Sequence, residues 1–328
     1  MKLLVTGGLG FIGSNFILKL LERDKNLQII NIDAGLTGSH QGNLKNLQNN
    51  KNYSFVKGNI TNKRLMNQLI SDSDVVINFA AESFVDRSIS DAEPFLVSNI
   101  RGAYTILDLI TKQKKRMIHI STDEVFGSLD NTAATENMKF NPSNPYAATK
   151  ASAELLIQSY IKTYKSDVII TRCTNNFGPR QFPEKLIPKI ILLATQEKKI
   201  PIYGDGKNIR DWIFVDDHCD AIYDVLMKGK SGESYNISSN NEISNLEIVK
   251  SILAIMNKSE DLIEFVVDRP GHDFRYSLDS SKIKNELNWS PKFNFTKGIE
   301  HTINWYLENS KWIDEINNPI LNHMPWKN

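Results

Sequence analysis

An α/β fold built on a doubly wound parallel sheet is what this sequence predicts, and three observations carry it. Apolar runs of strand length alternate with segments of helical period through roughly the first half of the chain. A glycine-rich turn containing Gly7, Gly10 and Gly13 joins the first run to the first helical segment. An acid, Asp33, closes the second run about 20 residues beyond the last of those glycines. With 328 residues the chain exceeds an average domain, so one large domain with an appended lobe or two intimate domains is expected.

In order, the predicted strands are 3–6, 29–33, 54–58, 75–80, 117–121 and 168–172. Each is a short apolar run bounded by polar or turn-forming residues, as buried strands of a parallel sheet are. Amphipathic stretches at 12–22, 62–71, 94–112 and 146–162 alternate with them and read as helices. Asn144-Pro145 reads as an N-cap followed by proline at the first helical position, so Tyr146 falls in the first turn and Lys150 one turn on, on the same face. A returning segment near 213–228 is expected to extend the sheet. Beyond Arg172 the alternation breaks into pieces punctuated by Gly178-Pro179, Phe182-Pro183, Gly204-Asp205-Gly206 and Arg269-Pro270-Gly271. Loops of this kind over a rigid sheet commonly carry binding residues. Residues 46–52 read as a solvated loop, and the tail from Asn317, with Pro319 and Pro325, as irregular.

Composition narrows the function. Hydrophobic residues make up 41% and charged residues 23% of the chain, as in ordinary globular proteins. A formal net charge of +1 leaves no electrostatic footprint for a nucleic acid or membrane surface. No apolar run reaches the length of a membrane span, and Met1-Lys2 leads directly into Leu3-Leu4-Val5 without a signal-peptide pattern, so a cytoplasmic protein is expected. Cys173 and Cys219 are too few for a disulfide framework and read as buried small hydrophobes. The six histidines are scattered, so no metal is expected.

The glycines at 7, 10 and 13 permit a tight turn, a close backbone approach to a pyrophosphate, and contact between helix and sheet, while the helix N-terminus faces the anion. A carboxylate at Asp33 would bond ribose hydroxyls and repel a 2′-phosphate, which favours NAD over NADP. Tyr146-x-x-x-Lys150 then supplies a phenol beside a cation, and Asp123-Glu124 supplies adjacent carboxyl groups just after a strand. A tyrosinate held by a lysine can take a hydroxyl proton while hydride leaves the same carbon, and two carboxyls can remove one proton and deliver another. Free tyrosine titrates near pH ~10, so Lys150 and the nicotinamide charge are expected to depress it. Thr122 and Asn99 lie where they can assist. Oxidation followed by elimination is the natural reading.

Several motifs carry a resemblance along nearly the whole chain. They are Thr-Gly-Gly-Leu-Gly-Phe-Ile-Gly-Ser at 6–14, Ala-Ala-Glu-Ser-Phe-Val-Asp-Arg-Ser-Ile at 80–89 and Ser-Thr-Asp-Glu-Val-Phe-Gly at 121–127. Asn-Pro-Tyr-Ala-Ala-Thr-Lys at 144–150, Arg-Cys-Thr-Asn-Asn-Phe-Gly-Pro at 172–179 and Phe-Pro-Glu-Lys-Leu-Ile-Pro at 182–188 continue it. Arg-Asp-Trp at 210–212, Asp-His-Cys at 217–219 and Arg-Pro-Gly-His-Asp at 269–273 complete it. The chain resembles the extended short-chain dehydrogenase/reductases, and within them the dTDP-glucose 4,6-dehydratase family. Thr-Asp-Glu at 122–124 is the specific element, since sister epimerases and decarboxylases lack the acidic pair there.

The resemblance implies a Rossmann-type domain over 1–174, with 208–230 added, and a smaller, mostly C-terminal substrate-binding lobe from 175–207 and 231–328. It implies that NAD is regenerated in each turnover. Tyr146, assisted by Thr122 and Lys150, would take the proton of the sugar 4-hydroxyl. Glu124 would remove the proton at carbon 5, and Asp123 would protonate the departing 6-hydroxyl, giving a 4-keto-6-deoxy sugar nucleotide. Expected cofactor contacts are Gly7, Gly10, Phe11, Ile12, Gly13 and Asp33 on one side. Asn59, Ile60, Ala80, Ala81, Asn99, Tyr146 and Lys150 are expected on the other. For the sugar nucleotide the candidates are Ser83, Asn175, Asn176, Lys185, Arg210, Arg269 and His272, with guanidinium groups suited to the diphosphate. His218 is expected to be structural or near the nucleotide. The family's dimers imply a homodimer through helices 94–112 and 146–162.

The chain departs from the family in Phe84, where histidine is usual, Phe126, where tyrosine is usual, Asn59, where aspartate is usual, and a longer loop after Asp33. The base of the nucleotide, dTDP against UDP or another, is left open. The rival readings are a sugar-nucleotide 4-epimerase or decarboxylase, which would leave Asp123 and Glu124 without work, and an NAD-sensing binding protein.

Overall fold

The computed structural model describes residues 1–316, so the expected irregular tail from Asn317 lies outside the described residues. The strands are β1 (Lys2–Thr6), β2 (Gln28–Asp33), β3 (Tyr53–Lys57), β4 (Val75–Asn78), β5 (Arg116–Thr122) and β6 (Val168–Cys173), followed by β7 (Asn175–Phe177), β8 (Ile200–Tyr203), β9 (Ile209–Phe214), β10 (Ser234–Ile237), β11 (Glu242–Ser244) and β12 (Ile263–Val266). The helices are α1 (Phe11–Arg23), α2 (Lys63–Ser71), α3 (Val85–Ser90), α4 (Glu93–Phe95), α5 (Ala103–Gln113) and α6 (Pro145–Tyr164), then α7 (Leu186–Thr195), α8 (Val215–Lys228), α9 (Asn245–Ile255), α10 (Ser281–Leu287), α11 (Phe295–Glu308) and α12 (Ser310–Glu315).

The central sheet is parallel throughout, in the order β10-β6-β5-β4-β1-β2-β3. Its two faces follow from side-chain alternation along each strand. In β1, Leu3 and Val5 enter a core with Phe16 and Leu20 of α1 and Ile222 of α8, whereas Leu4 enters another with Ile70, Ile106 and Ile157 of α2, α5 and α6. A parallel sheet covered on both faces needs such continuous apolar strands, and each fully buried side chain contributes about 1.5–3 kcal/mol. The strand order reverses between β1 and β4, which opens a crevice at the carboxyl ends of the strands, where ligands of doubly wound sheets bind.

The predicted strands and helices of the first half are all present, with ends shifted by a residue or two. The helix expected at 94–112 is interrupted, however: α4 and α5 are joined by a π-helical segment, Leu96–Gly102. Asn99 sits inside it, buried, and Gly102 packs where a Cβ would meet Ile60 Cδ1 at 2.4 Å. Helix α6 starts as its sequence demands: the Asn144 side chain accepts from Ala147 N–H at 2.9 Å and Pro145 stands at the first helical position. Left-handed Lys165 ends it.

The smaller lobe has its own core, where Phe177, Trp212 and Phe214 of β7 and β9 meet Ile187 and Ile191 of α7, Ile252 of α9 and Tyr306 of α11. The segment at 213–228 does return to the large sheet, as α8 packed on α1, but it adds no strand. Instead β9 belongs to a small sheet with β7 and β11. The seventh central strand is β10, paired with β6, although the sequence reading places 231–328 in the lobe. Its register, Tyr235 against Thr171 and Ile237 against Cys173, buries both apolar side chains.

Candidate active site

One cleft along the carboxyl ends of β1, β4 and β5 is lined by Gly7, Gly10, Phe11, Ile12, Gly13, Asp33, Asn59, Ile60, Ala80 and Ala81, and onward by Ser83, Thr122, Asp123, Glu124, Tyr146, Lys150, Asn175, Asn176 and Lys185. These residues are far apart in sequence, and the sheet brings them together. Asn99 lies behind the wall, and Arg210, Arg269 and His272 lie beyond it.

At one end is the glycine turn. Gly7 has φ +70°, and a Cβ there would stand 2.7 Å from Ala80 N. A Cβ on Gly13 would stand 2.6 Å from Gly7 O. The turn therefore presents bare backbone and the start of α1 to the cleft, a surface suited to a pyrophosphate. Asp33 is buried, with one carboxylate oxygen accepting from Leu9 N–H at 3.0 Å and the other from Gly35 N–H and the Ser39 hydroxyl at 2.8 Å each. A carboxylate offers about four acceptor directions, so room for a further donor remains. Asn59 accepts from Thr61 N–H at 2.9 Å and from the Thr61 hydroxyl at 2.8 Å, which fixes the turn that carries it to the cleft wall. The donors and the bare backbone fit a dinucleotide such as NAD.

At the other end β5 runs into a 3-10 turn, Asp123–Phe126, capped by the Thr122 hydroxyl, which accepts from Glu124 N–H at 3.3 Å. The same hydroxyl donates to Asp123 Oδ1 at 3.1 Å, while Asp123 Oδ2 is buried without a partner. Burial, then the neighbouring Glu124, hold the Asp123 carboxyl well above its ordinary range, which favours its protonated form. Glu124 Oε2 accepts from Asn144 Nδ2 at 3.4 Å and lies 3.4 Å from the Tyr276 hydroxyl oxygen. Two adjacent carboxyls thus sit in different surroundings, as an acid and a base must.

Tyr146 and Lys150 face the cleft from α6. The Lys150 ammonium donates to Ile120 O at 2.6 Å, and burial lowers its pKa to about 8. Tyr146 departs from the sequence expectation. Burial pushes its phenol well above 10, Glu124, Cys173 and Asp123 push it further, and the Thr122 hydroxyl opposes them. The Lys150 charge is turned to a backbone carbonyl, so the field that the sequence reading assigns to it does not govern the phenol here. Asn99 acts from behind: its side chain bonds both backbone groups of Glu82, at 2.9 and 3.0 Å, and the Thr149 hydroxyl at 3.0 Å. It ties the loop after β4 to the helix that bears Tyr146.

The cationic candidates all have partners. Lys185 donates to Ser83 O at 2.8 Å and lies 4.4 Å over the Phe84 ring, with Arg87 over the same ring at 5.5 Å. Phe84 is a platform between two cations, where a protonatable ring would be repelled. Phe126 lies under a single cation, 5.1 Å from the Arg172 guanidinium. Arg269 pairs with Asp86 at 2.7 Å. Arg210 donates to the carbonyls of Ile209, Asp273 and Phe274 and lies 4.3 Å over Tyr276, so its donors hold the lobe together beside the acidic pair. His272 bonds Asp268 at 2.7 Å, and burial takes it down to about 4. His218, down to about 3 by burial, holds Asn176 at 2.8 Å.

Tyr276 is the site neighbour that the sequence reading misses. It donates to Asp273 at 2.5 Å and lies against Glu124, and it stands three residues past the Arg-Pro-Gly-His-Asp motif. Extending that motif would have reached it. Among the described residues no group of His, Cys, Asp and Glu could hold a metal ion, and no helix is long and apolar enough to cross a membrane.

The chain matches the family described as GDP-mannose 4,6 dehydratase over residues 4–302. It is 47% identical over 308 residues to the low-salt glycan biosynthesis protein Agl12 of Haloferax volcanii, spanning 94% of this chain and 99% of that protein. It is 45% identical to the dTDP-glucose 4,6-dehydratase of Haemophilus influenzae, over 94% of this chain and 99% of that one. Among solved structures, dTDP-glucose 4,6-dehydratase from Bacillus anthracis in complex with NAD superposes with a TM-score of 0.91 at 44% identity, over 97% of this chain and 100% of that one.

Proposed function

The chain belongs to the GDP-mannose 4,6 dehydratase family, and from that premise we propose that it is an NAD-dependent lyase that converts dTDP-glucose to the 4-keto-6-deoxy sugar nucleotide. The observation that carries this reading is the acidic pair: a buried Asp123 whose surroundings favour its protonated form, beside Glu124, in the same cleft as Tyr146. A 4-epimerase has no use for such a pair.

The turn at Gly7–Gly13 and Asp33 would hold NAD, which when bound would supply a hydride acceptor for carbon 4 and, once reduced, a hydride donor for carbon 6. Tyr146, as the phenolate that the positive charge of a bound nicotinamide would favour, accepts the 4-hydroxyl proton, with Thr122 bonded to the phenol oxygen and Lys150 held on Ile120 O. The 4-ketone acidifies carbon 5, and Glu124 takes that proton. Asp123 gives its proton to the 6-hydroxyl, which leaves as water. Glu124 then returns a proton to carbon 5. Lys185 and Asn176, which line the cleft, would receive the nucleotide diphosphate, with Arg269 released from Asp86 to join them and Arg210 bracing the lobe beside the acidic pair. The enzyme works as a homodimer through α5 and α6, whose outer faces expose Tyr104, Leu155 and Tyr164.

The test follows atoms. Substrate deuterated at carbon 4 should give product deuterated at carbon 6, and reaction in deuterium oxide should place one deuterium at carbon 5. Deuterium retained on carbon 4 would instead establish an epimerase.

A further inference from the structure

The last helix of the described chain reaches the cofactor cleft through an unbroken series of buried hydrogen bonds. Trp312, in α12, donates its indole N–H to Asn43 Oδ1 at 2.7 Å. Asn43, in the loop after Asp33, donates its amide to Leu9 O at 2.8 Å. Leu9 lies inside the glycine turn, and its N–H donates to Asp33 at 3.0 Å. Trp312, Asn43, Leu9 and Asp33 are each at most 8% exposed, so no bond in the series competes with bulk water. His40 runs beside it. Its backbone N–H shares the Leu9 carbonyl at 3.0 Å, its ring meets the Trp312 indole edge-on at 5.4 Å, and its Nε2 lies 3.3 Å from Glu315.

Two features of this series point past packing. It ends on the two groups that the cleft offers to a dinucleotide, the backbone of the glycine turn and the carboxylate of Asp33. Asn43 also uses donor and acceptor together: altering its acceptor leaves the buried Trp312 N–H unpaired, and altering its donor leaves the Leu9 carbonyl to the His40 N–H alone. An apolar pair would fill the same space without fixing the Leu9 carbonyl.

We propose that Trp312 and Asn43 are positioning residues for NAD: α12 acts as a clip that holds the glycine turn and Asp33 in their cofactor-binding arrangement and slows cofactor escape. The inference deepens the dehydratase reading and rests on it, because a reaction that takes hydride from carbon 4 and returns it to carbon 6 of the same sugar needs a cradle that stays closed between the two transfers. An enzyme that exchanges its cofactor every turnover would gain nothing from such a clip.

The test separates the links. Trp312→Phe keeps an aromatic ring against His40 and Tyr306 but deletes the N–H donor. Asn43→Asp keeps the acceptor for Trp312 but deletes the donor to Leu9 O. Each should raise the NAD dissociation constant about 5- to 30-fold, from an unpaired Asn43 oxygen in Trp312→Phe and from a carboxylate oxygen set against the Leu9 carbonyl in Asn43→Asp, and shorten NAD retention during gel filtration in proportion. The double variant should be little worse than the weaker-binding single, since both break one series. Lys311→Ala, on the exposed side of α12, should bind NAD like the parent. Dissociation constants within twofold of the parent for both single variants, or effects that simply multiply in the double, would overturn the inference. Binding of NAD is measured without substrate, so a parent protein that binds NAD tightly yet makes no keto sugar would refute the dehydratase reading and leave the clip standing.

Discussion

Lys150 carries opposite consequences for stability and for chemistry. Burial lowers its pKa from 10.5 in solution to about 8. Between those values the unfolded chain binds a proton that the folded protein does not, so this lysine's contribution to stability rises with pH across that window. The full span is worth about 3 kcal/mol. Activity should move the other way, falling as pH rises through about 8, because the charge-assisted bond by which Lys150 ties α6 to Ile120 O is weakened. Urea unfolding of the cofactor-stripped protein from pH 7.5 to 10 should show the rise, and Lys150→Met should abolish that part of it; equal slopes in the two proteins would show that the lysine is not buried as described. The acidic pair and the Tyr146-Lys150 pair were legible because they are local motifs. Tyr276 was not, because its contact with Glu124 spans 152 residues, and no spacing rule reaches across that distance.

Helix α6 supplies Tyr146 and Lys150 at its start, and one turn beyond Lys150 it is anchored by an ion pair. Glu154 and the Arg172 guanidinium of β6 bond at 2.7 to 3.1 Å, with side chains 0% and 1% exposed, and Phe126 and Phe140 flank the guanidinium at 5.1 and 5.4 Å. Removing one partner strands a buried charge, so Glu154→Ala should lower unfolding free energy by about 3–5 kcal/mol. Joint replacement of Glu154 and Arg172 by leucine and methionine should cost less. Denaturant titration decides, and a loss under 1 kcal/mol for the single variant would contradict the burial. Strand and helix positions in this half were readable because apolar periodicity reports burial directly. The π-helical turn at Leu96–Gly102 was not, since widening one turn leaves the apolar pattern of the flanking helix intact, and its cause is the tertiary demand for Asn99 between Glu82 and Thr149.

At the scale of the molecule, the outer faces of α5 and α6 expose Tyr104, Leu155 and Tyr164, with Tyr104 edge-on and Tyr164 tilted against Tyr160. Exposed rings of this size on neighbouring helices are expected to meet their own copy about a twofold axis. Sedimentation should give a dimer, and a Tyr104→Glu/Leu155→Glu variant a folded monomer; an unchanged dimer would move the interface elsewhere. Sequence marked the large sheet but not its far edge, because β10 is four residues long and lies among loop-like segments where periodicity has nothing to repeat.

That late strand has a consequence on the ribosome. Strand β6 is complete at Cys173, yet its partner does not begin until Ser234 has been made. At the usual pace of translation the interval lasts several seconds. Throughout it the nascent sheet presents an open edge whose residues, Ile170 to Cys173, end up wholly covered, the kind of edge that pairs with any strand it meets. Yield from the cell should therefore depend in part on what shields that edge during synthesis, and synonymous codon changes that slow delivery of 234–237 should send more chains into aggregates while leaving the finished protein unaltered.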